Sequence, residues 1–195
     1  MADTLTAYAT SRARFEAWAA LDAPHLPSDP IDAIQVRLAR WQSANFGATG
    51  DELIALGIGE ECGELAQAGD RTEAIDALGD VCIYAAQLCT ANRLAIGTTL
   101  DSGSSLPVDL AVPVGALQHL VLKRAQRIRK GRLPVEEHRA LLFTAIRFVV
   151  RAAVAAAQPM ADGITAREAF AATAEHVLAR NWTANPITGA AAPRA

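Results

Sequence analysis

The chain carries two runs of carboxylates: Glu60, Glu61 and Glu64 in GEECGEL, then Glu73, Asp76 and Asp80 in TEAIDALGDVCIY. At about 100° per helical residue, Glu60, Glu64 and Glu61 fall near 0°, 40° and 100°, and the second run spans about 60°, so each run occupies one helix face. Like charges four residues apart cost an isolated helix roughly 0.2–0.5 kcal/mol per pair. A divalent cation would relieve that repulsion. Oxygen ligands without a companion His or Cys suit a hard ion, and Mg²⁺ shares its shell between a few carboxylates, water and phosphate oxygens. The expected chemistry is therefore phosphate chemistry at a carboxylate-lined metal site. A purely solvated helix face is the competing explanation. Against it stand the apolar company of the first run, Leu53, Leu56, Ile58 and Leu65, and the position of Asp80 directly before VCIYAAQLC.

Two further groups of side chains suit a phosphorylated ligand. His119, Lys123, Gln126 and Lys130 lie within about 60° on an expected fifth helix, with Arg127 close by, and Lys and Arg give charge-assisted hydrogen bonds to phosphate oxygens. Arg124 falls instead on the apolar side with Leu117, Val121 and Ile128, where it requires an anionic partner, because an unpaired buried charge is expensive. On the expected second helix, Gln35, Trp41, Gln42 and Asn45 offer an aromatic plane and amides able to read a nucleobase edge.

The elements that must position these groups read as helices. Ala dominates, apolar residues recur at helical spacing, and no alternating β-branched run marks a strand, so the fold class is all-α. Helices are expected over residues 4–21, 30–46, 51–68, about 70–92, 114–130, 134–157 and 165–182. Asp29 and Pro30 mark the start of the second helix and Gly47 its stop. Gly57, Gly59 and Gly63 in the third imply close backbone packing or ligand approach. Asp70 with Glu73, and Thr165 with Glu168, mark helix starts of capping-box type. Residues 97–113, containing Gly, Ser and Pro, read as a lid or a connector. The organisation is an N-terminal helical arm and linker over 1–29, a helical domain over 30–188 and a frayed tail over 189–195.

Bulk composition narrows the class. The chain has 195 residues, 51% of them hydrophobic, enough for one domain with a substantial core. Its longest apolar stretches are too short for a membrane span or interrupted by Arg151, and residues 1–16 lack the apolar centre of a signal peptide, so a cytoplasmic location is expected. Cys62, Cys82 and Cys89 show neither CxxC nor zinc-finger spacing, and reduced, packed thiols are expected. A net charge of −3 gives no global attraction to a nucleic acid polymer.

Taken together, WQSANFG, GIGEECGELAQA, DALGDVCIY, LKRAQRIRK and RNWTANP resemble the MazG-like, all-α nucleoside triphosphate pyrophosphohydrolases over residues 31–188. The strongest elements are EExxE at Glu60, Glu61 and Glu64 and the following helix with Gly79 and Asp80. The resemblance implies a MazG-like helical bundle with an additional N-terminal helix and C-terminal helices, assembled as a homodimer or homotetramer. It implies hydrolysis of a nucleoside triphosphate between the α and β phosphates with Mg²⁺, for which Mn²⁺ can substitute. By resemblance, Glu61, Glu64 and Asp80 would ligate the metal, and Asp76 would replace a glutamate of the family's ExxD pattern, whose position holds Ala77 here. Glu60 would orient or deprotonate the attacking water, and Lys123 and Arg127 would hold the polyphosphate. Gln126 and Lys130 extend that basic surface, and Gln35, Trp41, Gln42 and Asn45 would contact the base. The Ala77 departure sets up the alternative expectation, a catalytically weak or inactive MazG-like nucleotide-binding or protein-interaction module. A di-iron carboxylate bundle would require Glu-x-x-His pairs, which the sequence lacks.

Overall fold

The computed structural model describes residues 2–19, 26–101, 109–187 and 189. Among them are eight α-helices and no strand: α1 Ala2–Ala19, α2 Pro30–Phe46, α3 Asp51–Gln67, α4 Arg71–Ala91, α5 Gly97–Leu100, α6 Ala111–Ala125, α7 Val135–Ala157 and α8 Ala166–Ala179. The all-α expectation holds.

Local chemistry sets most helix ends. Asp29 caps α2 by accepting from the backbone N–H groups of Ile31 and Asp32 at 2.9 and 3.2 Å, with Pro30 in the first turn. Gly47 ends α2 in the left-handed region, at φ 69°. Asp70 caps α4 in the same way, accepting from Thr72 and Glu73 at 2.7 and 3.0 Å, while the Glu73 carboxylate reaches back to the Gly69 N–H at 2.7 Å. Thr165 and Glu168 form a full capping box on α8.

The core is built around α4, which packs on α3, α8, α7 and α2. Ala74, Leu78, Val81, Cys82, Ala85, Leu88 and Cys89 are all essentially inaccessible. Close approach of α8 to α4 depends on Gly79, where a Cβ would collide with the Thr173 side chain. By length and composition α4 and α7 could each cross a membrane; within the fold their apolar side chains Leu78, Val81, Phe143, Ile146 and Val149 serve the shared core instead.

The N-terminal helix α1 packs against α5 and α7. Tyr8 donates to Glu136 at 2.7 Å and meets the Phe143 ring edge-on at 5.9 Å. Arg14 pairs with Asp29 and buried Asp32, both at 2.8 Å.

Two sequence expectations are corrected. Part of the 97–113 segment is helical: α5 occupies its start, and α6 already begins at Ala111 with Pro113 in its first turn. Residues 102–108, the centre of the expected lid or connector, lie outside the described residues, as do 1 and 20–25 of the expected arm and linker, 188, and 190–195 of the expected tail. The second correction concerns the basic stripe. Helix α6 stops at Ala125, Arg127 and Arg129 take positive φ values of 55° and 49°, and Arg129–Arg132 form a 3-10 turn. Gly131 folds back so closely that a Cβ there would overlap the Lys123 carbonyl. The partner of Arg124 is accordingly not a carboxylate. Its guanidinium donates to the carbonyls of Gly131 and Leu133 at 3.1 and 3.0 Å, locking the turn after α6.

Candidate functional site

Helices α3 and α4, joined by only a few residues, run antiparallel and make the most extensive packing in the fold. The two carboxylate runs meet across that contact. Glu61 from α3 and Asp80 from α4 lie half-buried at one wall of a cavity of about 430 Å³. The remaining walls come from Trp41, Gln42 and Phe46 of α2, Leu53 and Ile54 of α3, Ile83, Tyr84 and Gln87 of α4, and Val177, Arg180 and Trp182 at the C-terminal end. Glu64 and Asp76 line an adjoining cleft of about 330 Å³ with Gln67, Ala68, Glu73 and Ala77. The expected metal ligands therefore divide between two neighbouring depressions, and Glu60 stands exposed beside them.

Their electrostatics are those of a cluster under repulsion. Glu61 is pushed up to about 8, first by burial and then by the charges of Asp80, Glu64, Glu60 and Asp76. Asp80 is raised to about 6 by burial and by Asp76, with Arg180 pulling the other way. The Tyr84 phenol is also held above its ordinary range by burial and by Glu61. Among the described residues no three His, Cys, Asp or Glu side chains gather closely enough to hold a metal unaided. The donor set nevertheless fits a hard divalent ion that keeps several waters. It consists only of anionic oxygens, and ionising Glu61 and Asp80 together is the step such an ion would favour.

An aromatic wall closes the other side of the cavity, and long-range contacts build it. The chain after α8 is stapled onto the end of α2. Trp41 donates its indole N–H to the Arg180 carbonyl at 2.8 Å, the Trp182 N–H donates to the Asn45 side-chain oxygen at 2.7 Å, and Thr183 donates to the Ala44 carbonyl at 3.2 Å. Trp41 and Phe46 meet edge-on at 5.6 Å, and Trp182 lies 6.5 Å from Phe46. Gly57 leaves the space that the Tyr84 ring occupies, since a Cβ there would lie 2.5 Å from it. Of the other glycines of α3, Gly59 faces the Gln118 amide and Gly63 faces open space.

The structure sorts the expected ligand contacts. Trp41 and Gln42 line the cavity. Gln35 does not: it is fully buried, donates to Thr90 and to the Leu94 carbonyl at 2.9 Å each, and accepts from the Ile96 N–H at 2.8 Å. It clamps the turn after α4 and has no capacity left for a base. Asn45 is likewise occupied by Trp182 and by the Trp41 carbonyl, so it shapes the wall without facing into it. Lys123 donates to Gln126 at 2.8 Å, and neither residue lines either acidic cavity. Arg127 and Lys130 sit on the turn after α6, and Lys130, with His119, edges a separate apolar groove between α6 and α7.

Sequence reasoning missed Tyr84, Gln87, Arg180 and Trp182 as cavity residues. Periodicity held a signal for two of them: Tyr84 and Gln87 follow Asp80 at four and seven residues, hence on its face. Arg180 and Trp182 carry no such signal, because their proximity to α2 exists only in three dimensions. Comparison of the chain with protein-family models, with curated proteins and with solved structures returns no match of any kind.

Proposed function

We propose that this chain is a Mg²⁺-dependent nucleoside triphosphate pyrophosphohydrolase of the MazG-like type. One observation carries the reading: a carboxylate pair from two antiparallel helices, Glu61 and Asp80, forms the wall of an aromatic, amide-bearing cavity of nucleoside size. Phosphate chemistry and ring recognition would then be served by adjoining parts of one pocket.

Bound Mg²⁺ would supply charge neutralisation for the phosphates and acidify coordinated water. Glu61 and Asp80 would hold it from the cavity side and Glu64 and Asp76 from the adjoining cleft. Glu60, exposed beside them, would accept a proton from the attacking water. That water forms a new P–O bond while the α–β bridging P–O bond breaks, giving a monophosphate and pyrophosphate. Arg180, which lines the cavity with Glu61 and Asp80 and whose charge already acts on Asp80, would take the place of Lys123 and Arg127. It would attract the polyphosphate and limit its repulsion by the carboxylates. Trp41, Phe46 and Trp182 would enclose the base.

A second reading keeps the pocket and drops the chemistry. It is favoured by Ala77, buried at the place where the MazG-like pattern commonly has an acid, and by the absence of a ready-made metal cage among the described residues. In that case the chain binds nucleotides without hydrolysing them. Pyrophosphate release from a panel of canonical, deoxy and modified triphosphates, with Mg²⁺ and with Mn²⁺, separates the two. Turnover abolished by Glu61→Gln supports the hydrolase. Binding without turnover by the folded, metal-loaded protein supports the second reading, and absence of both binding and turnover removes both.

A further inference from the structure

We infer that Gln87 selects the ring bound in the aromatic cavity by pairing its side-chain amide with a ligand edge that presents a hydrogen-bond donor beside an acceptor. The inference rests on the nucleotide reading of this cavity and names the residue that would recognise the pairing edge of the base.

Three observations converge on Gln87. It lies on α4 seven residues beyond Asp80, two helical turns and about 10 Å along the axis, within about 20° of the same face. Asp80, Ile83, Tyr84 and Gln87 all line the cavity, so one helix spaces the acidic wall from the amide at its other end. That spacing is of the order that separates the first phosphate of a nucleotide from the edge of its base. Second, Gln87 is only 9% exposed, and among the described residues its amide has no hydrogen-bond partner. Neither amide atom is shut off from solvent, so the group is open to the cavity it borders; Gln35, on the neighbouring helix, makes all its bonds to the protein. Third, the flat walls Trp41, Tyr84 and Trp182 favour a planar ring in the cavity that Gln87 borders. A glutamine amide carries one acceptor and two donors, matching the paired edge of a heteroaromatic base and leaving a purely apolar ring unrewarded. Gln42 borders the same cavity from α2, but it is more exposed.

The test compares full-length wild type with Gln87→Leu and Gln87→Met, which keep the volume and remove the amide. Binding of the common nucleoside monophosphates, and of counterparts methylated on the pairing edge such as 3-methyluridine monophosphate, is measured without metal through Trp fluorescence. The wild type is expected to lose affinity for its preferred base when that edge is blocked. Either variant should weaken binding of the preferred base by about 5- to 150-fold, the range for a paired amide contact, and should no longer respond to the block. Circular dichroism and thermal melting confirm folding, and Gln87→Met serves if Gln87→Leu does not fold. Unchanged affinity for the preferred base in a folded variant, or a wild type indifferent to the blocked edge, overturns the inference. Because binding is read without turnover, the two conclusions separate. Gln87-dependent, block-sensitive binding with no hydrolysis removes the pyrophosphohydrolase and keeps this role for Gln87, whereas hydrolysis with binding that ignores Gln87 does the reverse.

Discussion

Replacing Glu61 by Gln tests the electrostatic reasoning at its most perturbed group. Glu61 titrates at about 8 in the folded chain against 4.5 for a free glutamate. A raised folded-state value means that the native state binds the proton more tightly than the unfolded chain. The group's contribution to stability is therefore present below about pH 4.5 and is lost as pH rises toward 8. At about 1.36 kcal/mol per pH unit the full shift would correspond to about 4–5 kcal/mol. Glu61 is only half-buried, and solvent screening brings that to about 2 kcal/mol. Glu61→Gln removes the ionisation and keeps the shape. Without metal it should leave the melting temperature nearly unchanged at pH 4.5 and raise it by about 4–8 °C at pH 8, given about 2–4 °C per kcal/mol for a chain of this size. Added Mg²⁺ should stabilise the wild type at pH 8 by about 2.7 kcal/mol at one hundred times its dissociation constant and should do far less for the variant. Differential scanning calorimetry at both pH values, with and without Mg²⁺, measures all four quantities. A variant that melts with the wild type at pH 8, or that keeps the full Mg²⁺ response, refutes the account of these carboxylates.

Other substitutions test the remaining assignments. Gln35→Leu strands the Leu94 carbonyl and the Ile96 N–H in the interior and should cost about 2–4 kcal/mol in urea denaturation, with nucleotide selectivity unchanged; altered selectivity at intact stability would return Gln35 to the binding site. Arg124→Met removes two hydrogen bonds to carbonyls and should lower stability by about 1–3 kcal/mol, whereas an unaffected denaturation midpoint would mean that the turn after α6 holds without it. Gly79→Ala forces α4 away from Thr173 and should destabilise by about 1–3 kcal/mol; crystallography of the variant should show α8 displaced, and an unmoved α8 at full stability would contradict the close packing described. Arg180→Gln should raise KM for a triphosphate substrate about tenfold, in line with loss of a charge-assisted phosphate contact, and an unchanged KM would leave the polyphosphate to other cations.

The sequence by itself determined the helical class, because Ala content and apolar periodicity admit no sheet, and it set the ends of α2, α4 and α8, because Asp29, Asp70 and Thr165 cap through side chains one turn away. It also placed Glu61 and Asp80 on single helix faces. These are local properties, governed by residues within a few positions of each other. The length of α6 escaped the periodic pattern: the fold-back at Gly131 and the Arg124 bonds to Gly131 and Leu133 outweigh the helical preference of the basic run. The roles of Gln35 and Asn45 depended on which backbone groups faced their amides: segments distant in sequence take up the Gln35 amide and the Asn45 oxygen. Only the tertiary structure joined the two carboxylate faces across α3 and α4, stapled Arg180 and Trp182 onto the end of α2, and left the Gln87 amide bordering the resulting cavity. Helical spacing dictates which side chains share a face. Whether a face meets core, solvent or an open pocket is decided by the helix packed against it, and that partner lies outside any local pattern.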